Sequence, residues 1–227
     1  MQPVLIFGLS ASLAAMGELA GHERRGSLIW PARSAILGLL GAALGIRREG
    51  DFSALDALSI SVAIFEAGVP LRDYHTIETV PSAAAKRPNS RPEALRDAKG
   101  RTNTTITLRD YRAGVFYGVA VQGAGLETLQ AALTRPHFTL YLGRKSCPLS
   151  APPGAKIVQA ETPAEALAHL TPPPWLCRGG APLARMLIVD AEVGEQVHDR
   201  AIDRGLWHFA PRTFARQPVE IALEATS

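Results

Sequence analysis

The chain has 227 residues, of which 47% are hydrophobic and 20% are charged, proportions typical of a globular protein with a substantial core. The formal net charge of +3 permits a polyanionic partner without requiring one. The two cysteines, Cys147 and Cys177, lie outside any CxxC or histidine-rich pattern, so the sequence indicates neither a zinc site nor a disulfide framework.

The first 17 residues are apolar enough to resemble a signal peptide. However, the first Lys or Arg is Arg24, so the basic region that opens a signal peptide is missing. Pro3 and the interspersed glycines suit a strand and a loop better. No other segment contains the roughly 20 apolar residues that a membrane-spanning helix requires. We therefore expect a cytoplasmic protein with no membrane partner.

The first two thirds of the chain alternate between strand and helix patterns. Short apolar or alternating runs predict strands, and apolar residues at helical spacing predict helices. In chain order we expect a strand at 3–9, a connection at 10–29, a helix within 30–48, strands at 57–65, 69–74 and 113–121, a helix at 125–134 and a strand at 137–142. This order is that of the ferredoxin-like, split βαβ arrangement, which also underlies RRM-type RNA binders.

The predicted helix within 30–48 organises the chain. From Ala35 to Ile46 it has no polar side chain, so we expect a core helix with no face made for water. Its three glycines share one stripe, where another backbone could approach closely. Arg33 and Ser34 lie in its first turn, where free N–H groups favour an anion; a solvated surface charge is the alternative for Arg33.

Residues 75–113 form a basic arm. They contain eight Lys or Arg and four acids, and three prolines and Gly100 break any regular element. Insertions of this length are usually functional or disordered. We therefore interpret the segment either as a disordered loop or as an arm whose charges neutralise nucleic-acid phosphates. The two interpretations are compatible if the arm orders on binding.

A Pro/Gly-rich stretch at 150–154 introduces a different composition. It is followed by a strand pattern at 156–159, a helix start at 162–165 with a capping box, and strand patterns at 186–189 and 219–223. We predict a small α+β domain over residues 150–227, after a ferredoxin-like domain over residues 1–149 that contains the arm.

Catalytic signatures are missing from the sequence. It has no Walker loop, no GxGxxG after a strand, no HExxH and no nucleophile elbow. Its acids are dispersed rather than gathered into a set that would hold Mg²⁺. We therefore expect no cofactor and no metal.

Three sequence motifs, in their order and spacing, resemble those of the CasD-type subunits of the CRISPR surveillance complex Cascade. They are WPARSAILGLLGAALGIRR from residue 30, DYHT at 73–76 and LGRKSCP at 142–148. The family patterns are P-[ST]-K-S-x-[IV]-x-G-L-L-A-A-A-L-G, D-Y-H-T and L-G-R-K-S-C-P, so Arg33 stands where the family has Lys. The phrase TITLRDYRAGVF at 105–116 is similar to T-x-x-R-E-Y-L-x-D-A-x-F, with Ala-Gly in place of Asp-Ala. The family's opening G-P-L-Q-S-W-G is represented only by GLSASL at 8–13.

The resemblance spans residues 3–149 and belongs to subtype I-E. It implies a modified ferredoxin-like domain of the RAMP superfamily, with residues 75–113 as a thumb-like arm. It further implies a non-catalytic RNA-binding subunit that holds the 5′ handle of the crRNA at the foot of the complex, in antiviral defence. The implied partners are the crRNA, the backbone subunit of CasC type and the large subunit of CasA type, while a separate subunit cuts the precursor RNA.

On this resemblance and on charge, eleven residues are expected to bind RNA. Some keep a second interpretation: Arg144 and Lys145 could simply solubilise a strand end, His75 could be a hydrogen-bonded loop histidine, and Tyr111 could stack on a base or anchor the arm. The eleven are Arg24, Arg25, Arg33, Ser34, His75, Arg101, Arg109, Tyr111, Arg144, Lys145 and Ser146.

Two other functions compete with the RNA-binding scaffold. The first is a metal-independent endoribonuclease that processes CRISPR precursor RNA, since relatives in another subtype do so; it needs a base, an acid and a cation around one 2′-OH. Tyr74, His75 and Lys145 would be its candidates. The second is a protein-interaction module whose basic arm grips a neighbouring subunit.

Overall fold

The computed structural model describes residues 1–20, 23–88, 90–204, 206 and 208–224. Within these ranges the chain is a mixed α/β structure with one large sheet and few helices. No helix in this part of the chain is long and apolar enough to cross a membrane. The strands are β1 (Gln2–Ala14), β2 (Gly17–Ala20), β3 (Arg24–Ser27), β4 (Ser59–Glu66), β5 (Val69–Thr79), β6 (Asn103–Gln122), β7 (Lys156–Ala160), β8 (Leu183–Asp203) and β9 (His208–Ala222). The helices are α1 (Arg33–Leu44), α2 (Ser53–Asp56), α3 (Arg91–Ala98), α4 (Leu126–Thr134) and α5 (Pro163–Ala168), with a 3-10 turn at Pro174–Cys177.

Strand β6, with 20 residues, is the centre of the sheet. Its C-terminal half lies between β1 and β4, so that Val121 is flanked by Leu5 and Ile60. Its N-terminal half pairs with β5, from Ala113 opposite Val69 to Asn103 opposite Thr79. Strand β7 extends the sheet beyond β1, while β8 and β9 extend it beyond β4. We call the paired segments 69–79 and 103–113 the ribbon.

The C-terminal half of β6 is buried on both faces. Tyr117 and Val119 pack on the side of α1 and α4, whereas Phe116 and Ala120 pack on the side of α5. A strand that is covered on both faces has a continuous apolar sequence rather than an alternating one, as the run AGVFYGVAV does. The strand prediction at 113–121 is confirmed, although β6 begins ten residues earlier.

Helix α1 is confirmed as a core helix that buries Ile36, Leu37 and Leu40. The prediction that another backbone approaches the glycine stripe of α1 is wrong. Gly38 is exposed, with nothing near its missing Cβ. A Cβ on Gly41 would lie only 2.6 Å from the Phe52 ring, so an aromatic side chain fills the space that the glycine leaves.

The predicted absence of regular structure in the arm is wrong, because the ribbon occupies both of its ends and α3 lies between them. The three prolines at 81, 88 and 92 fall outside the two strands. The strand residues TTIT at 104–107 are all β-branched, which favours an extended backbone even where little surface is buried. The low apolar content reflects exposure of the ribbon rather than disorder.

The predicted strand at 137–142 is also wrong. The N–H groups of His137 and Phe138 donate to the carbonyls of Ala43 and Ala42 at 2.9 and 3.1 Å, so they cap the C-terminus of α1 instead of joining the sheet. Strand β7 takes the place beside β1. The connection expected at 10–29 also changes, because β1 continues to residue 14 and β2 and β3 follow it.

The C-terminal third contributes β7, α5 and the long pair β8 and β9. The predicted helix start is confirmed, since Thr162 Oγ1 accepts a hydrogen bond from the N–H of Glu165 at 3.1 Å; the Glu165 carboxylate accepts from the N–H of Glu161 at 2.8 Å instead of closing the capping box on Thr162. These strands join the same sheet, where β7 pairs with β1 and β8 pairs with β4. The division into two domains at residue 149 stays a prediction.

The two glycines of α1 allow a matched test of packing. We expect Gly38→Ala to raise the free energy of unfolding by about 1 kcal/mol, because Ala is the better helix former and has room there. We expect Gly41→Ala to lower it, since its Cβ forces the buried Phe52 ring to move and overpacking costs about 1–3 kcal/mol. Urea unfolding measures both, and equal effects would contradict the packing at Gly41.

Candidate nucleic-acid interface

The register of the ribbon places several of the expected RNA-binding residues on one side. Successive side chains of a strand alternate between faces, and directly paired residues share a face. Asp73 pairs with Arg109, and Arg25 on β3 pairs with Arg109 from the other side. His75 and Tyr111 lie two residues away on the same face. We call this side, which carries Asp73 together with Arg25, His75, Arg109 and Tyr111, the cationic face.

The tight turn after Leu142 reaches the cationic face. The N–H of Cys147 donates to the carbonyl of Arg144 at 2.8 Å, and the N–H of Ala15 donates to the carbonyl of Leu142 at 3.1 Å. Gly143 has φ +83°, and a Cβ there would lie 1.7 Å from the Ala15 carbonyl oxygen. Only glycine fits both the left-handed backbone and this approach. The Gly in LGRKSCP is therefore a packing requirement.

Arg144 and Cys147 both contact Tyr111 at the base of the ribbon. The guanidinium carbon of Arg144 lies 4.5 Å from the centre of the Tyr111 ring, a cation–π distance. Buried Cys147 packs in a small cluster with Tyr111 and Ala15. Because Tyr111 is only 9% exposed, it anchors the turn against the ribbon and offers little ring surface to a base.

Two guanidinium nitrogens at this place have no protein partner. Arg109 Nε and Arg144 Nη1 are buried and make no hydrogen bond within the described part of the chain. An unpaired buried donor costs about 1–3 kcal/mol, and more when the group is charged. Each such group in a folded protein calls for an explanation. A phosphate oxygen is the acceptor that arginine binds best.

On the opposite face of the ribbon two arginines share one carboxylate. Arg24 Nη2 lies 2.6 Å from Asp110 Oδ2, and Arg72 Nε lies 2.7 Å from Asp110 Oδ1. The hydrogen bond from Arg72, supported by Arg24, lowers the pKa of Asp110 below its usual value, so Asp110 remains charged at neutral pH. The sequence prediction grouped Arg24 with Arg25, but the alternation of β3 directs them to opposite faces.

Comparison with known proteins identifies the family. The family model described as CRISPR-associated protein (Cas_Cas5) matches residues 4–215. The chain belongs to this family. It is also 33% identical, over 191 residues, to the CRISPR system Cascade subunit CasD of Escherichia coli (strain K12); the match covers 76% of this chain and 79% of that protein.

Two solved structures are similar to this Cas5-family chain as a whole. One is titled "CRISPR RNA-guided surveillance complex"; it has a TM-score of 0.73 and 26% identity, over 96% of this chain and 91% of that one. The other is titled "Crystal structure of Cas protein"; it has a TM-score of 0.68 and 29% identity, over 96% and 95% of the two chains.

Arg33 of this family member lies away from the cationic face and makes internal contacts. Its Nη1 donates to the carbonyl of Leu58 at 2.8 Å, and its Nη2 donates to the carbonyl of Asp56 at 2.7 Å. Its own N–H, in the first turn of α1, donates to Asp199 Oδ2 at 2.8 Å. Arg212 holds the same carboxylate through Nε and Nη2, both at 2.8 Å.

The anion that the first turn of α1 favours is therefore supplied by the protein itself. Asp199 has a side chain only 2% exposed and lies in β8, far along the chain, where no local pattern marks it. RNA binding by Arg33 and by its half-buried neighbour Ser34 stays a prediction. The contacts of Arg33 favour a structural role.

The remaining expected RNA-binding residues lie at the two ends of the interface. Lys145 and Ser146 lie in the turn next to Arg144, on the protein surface. Arg101 lies near the far end of the ribbon, where its Nε donates to the carbonyl of Ala98 at 3.3 Å. The binding of RNA by these three residues stays a prediction.

The three candidates for a nuclease site do not share a face. Tyr74 and His75 are consecutive residues of β5, so their side chains lie on opposite sides of the ribbon. His75 Nδ1 lies 3.4 Å from Asp73 Oδ2, with both side chains about half exposed. Among the described residues, no three His, Cys, Asp or Glu side chains are grouped to hold a metal ion. Tyr74 and His75 are therefore not arranged to act together on one 2′-OH.

Sequence reasoning missed the contacts that arrange this interface. The contact of Arg144 with Tyr111 and the need for Gly143 beside Ala15 depend on a turn packing against the end of β1. A glycine followed by two cations, at the end of an apolar run, was the available signal. It marks a tight turn but does not identify the segment against which the turn packs.

The contacts of Asp199 allow a stability test. Asp199→Asn removes a buried charge that faces Arg212 and the first turn of α1, so we expect the free energy of unfolding to fall by about 3–5 kcal/mol. Asp190→Asn, at a carboxylate 35% exposed that also contacts Arg212, should cost about 1 kcal/mol or less. Urea unfolding without RNA measures the difference. Equal losses would show that Asp199 has no special role.

Proposed function

We propose that this chain is a non-catalytic RNA-binding subunit of a Cascade-type CRISPR complex and that it holds the 5′ handle of the crRNA. The observation that carries the proposal is the cationic face itself, where Arg25 and Arg109 pair on neighbouring strands and Arg144 lies over the Tyr111 ring beside them. The similarity to a protein named as a Cascade subunit, and to a structure titled as an RNA-guided complex, supports the same function.

The chemistry of the cationic face suits the phosphates of an RNA strand. Arginine supplies two or more N–H donors in one plane and binds phosphate oxygens in pairs. The strand ladder fixes the backbone of Arg109, and the Tyr111 ring holds the side chain of Arg144. Because the Arg144 side chain is already held, little of its conformational entropy is lost when RNA binds. The exposed Arg25 and Lys145 extend the positive surface at its edges.

We also infer a ferredoxin-like unit within the large sheet. In chain order its elements are β1, α1, β4, the C-terminal half of β6, α4 and β7. Strands β7, β1, β6 and β4 are antiparallel neighbours in that spatial order, and α1 contacts α4. This arrangement is the split βαβ pattern. Residues 150–227 would then supply its last strand before they form the smaller C-terminal domain.

The implied protein partners follow from the same proposal. A handle-binding subunit at the foot of a Cascade-type complex adjoins the backbone subunit of CasC type and the large subunit of CasA type. In the ribbon β5 is largely exposed, whereas residues 103–113 of β6 are mostly half-buried, so β5 offers most of the surface that RNA or protein could reach.

If RNA binds at the cationic face, its affinity should depend on salt concentration in a way that the variants change. Arg109→Ala should weaken binding of a repeat-derived RNA by about ten- to a hundredfold, since a charged hydrogen bond contributes about 1.5–3 kcal/mol. It should also reduce the slope of log affinity against log salt by about 0.7 for each phosphate that the variant no longer neutralises. Arg87→Ala, near the far end of the ribbon, should have less effect. Filter binding at several salt concentrations tests this, with the melting temperature as a folding control.

Absence of catalysis is tested separately. Because Tyr74 and His75 lie on opposite faces, we expect end-labelled repeat RNA to remain intact with the purified chain. Gel electrophoresis after prolonged incubation is the measurement. Specific cleavage that disappears in His75→Ala would contradict the scaffold function and favour the endoribonuclease.

A further inference from the structure

Arg144 lies at the tip of a short hairpin, residues 141–148, whose backbone is closed by hydrogen bonds. Tyr141 and Pro148 pair in a single antiparallel bridge at its base. The N–H of Leu142 donates to the carbonyl of Cys147 at 2.8 Å, and the N–H of Cys147 donates to the carbonyl of Arg144 at the same distance. These bonds fix the backbone at Arg144 but leave the orientation of its long side chain open.

An aromatic ring supports the Arg144 side chain. None of the ion pairs in the described part of the chain includes Arg144. Its guanidinium carbon lies 4.5 Å from the centre of the Tyr111 ring, and its Nη1 is buried, so the guanidinium lies against the protein instead of extending into water. The neighbouring Lys145 is exposed. The contact with Tyr111 therefore holds the guanidinium of Arg144 in place.

Tyr111 is itself a well-supported residue. It lies in β6 opposite Leu71 of β5, is buried, and packs with Ala15 and Cys147. A ring enclosed in this way has little room to turn away from the guanidinium. It also offers almost no surface on which a base could stack, so an effect of Tyr111 on RNA has to pass through a neighbouring side chain.

We propose that Tyr111 is a positioning residue that contributes to RNA binding through Arg144, an inference that rests on the proposed function. The planar guanidinium lies over the ring, and the N–H donors along its edge remain available to a phosphate. A lysine ammonium has no such plane and is more strongly hydrated. Position 144 therefore requires arginine, although lysine carries the same charge.

A purely structural role for Tyr111 makes a different prediction, because any substitution that destabilises the fold equally would then weaken RNA binding equally. The chain offers a matched control for this alternative. Arg204 lies 4.0 Å from the centre of the buried Phe52 ring, in a contact that includes neither the ribbon nor the 141–148 hairpin. Phe52→Leu and Arg204→Lys therefore alter the same kind of contact away from the cationic face.

Filter binding of a repeat-derived RNA to the full chain tests the proposal, with the melting temperature measured for each variant. We expect Tyr111→Leu and Arg144→Lys each to weaken binding about two- to thirtyfold, the range expected for a cation–π contact. Tyr111→Phe, which keeps the ring, should retain most of the affinity. In an Arg144→Ala background Tyr111→Leu should cause no further loss, because substitutions that remove one shared contact are not additive. Phe52→Leu and Arg204→Lys should bind RNA as the unmodified chain does.

Other outcomes overturn the inference. Equal affinities of Tyr111→Leu and Phe52→Leu mean that Tyr111 has only a structural role. A loss in Tyr111→Phe as large as in Tyr111→Leu means that the hydroxyl group acts rather than the ring. Losses that add in the double variant mean that Tyr111 contacts RNA itself. If Tyr111→Leu does not fold, the affinity of Arg144→Lys decides, since that variant keeps the ring, and an unchanged affinity contradicts the proposal.

The same assay separates this inference from the proposed function. If the unmodified chain does not bind repeat RNA, the proposed function fails and the inference fails with it. If the chain binds RNA and Arg109→Ala weakens binding, but Arg144→Ala does not, only the inference fails.

Discussion

The hydrogen-bond ladder along β6 links the core of the protein to its projecting surface. One uninterrupted strand pairs with β1 and β4 where it is buried and with β5 where it is exposed. A side chain on the ribbon therefore inherits its orientation from the packed sheet. Arg112 reinforces the junction, because its guanidinium donates to the carbonyls of Ala67 and Gly68 in the turn that leads into β5.

The guanidinium groups of Arg109 and Arg144 show how a folded chain keeps arginine side chains able to bind an anion. Within the described part of the chain neither of them forms an ion pair with a carboxylate, so the positive charge of both side chains is left for an anion. Arg33 illustrates the opposite arrangement, since backbone carbonyls satisfy it and Asp199 occupies the adjacent helix terminus. Arginines of similar appearance in the sequence thus have different capacities to bind a ligand.

The sequence predicted well those helices and strands whose formation is determined by neighbouring residues in the chain. Helix α1 follows from its apolar run, the helix start at Thr162 from its cap, and the buried half of β6 from its β-rich residues. The arm was misjudged because exposed strands have no apolar signature, and residues 137–142 were misjudged because their N–H groups cap α1. At the candidate site, residue identities came from the motifs. The contact of Arg144 with Tyr111, and the distribution of Arg24 and Arg25 over two faces, depended on tertiary packing and register.

The position of β1 in the sheet has a consequence for how the chain acquires its structure. Residues 4–11 are all buried, yet Val4 pairs with Val158 and Leu5 pairs with Val121. Such distant pairings give a high contact order and slow folding. During synthesis this apolar, strand-forming segment therefore remains unpaired until most of the chain has emerged. In that period aggregation competes with folding. Low temperature during expression, or a chaperone that shields the segment, should raise the yield of native protein.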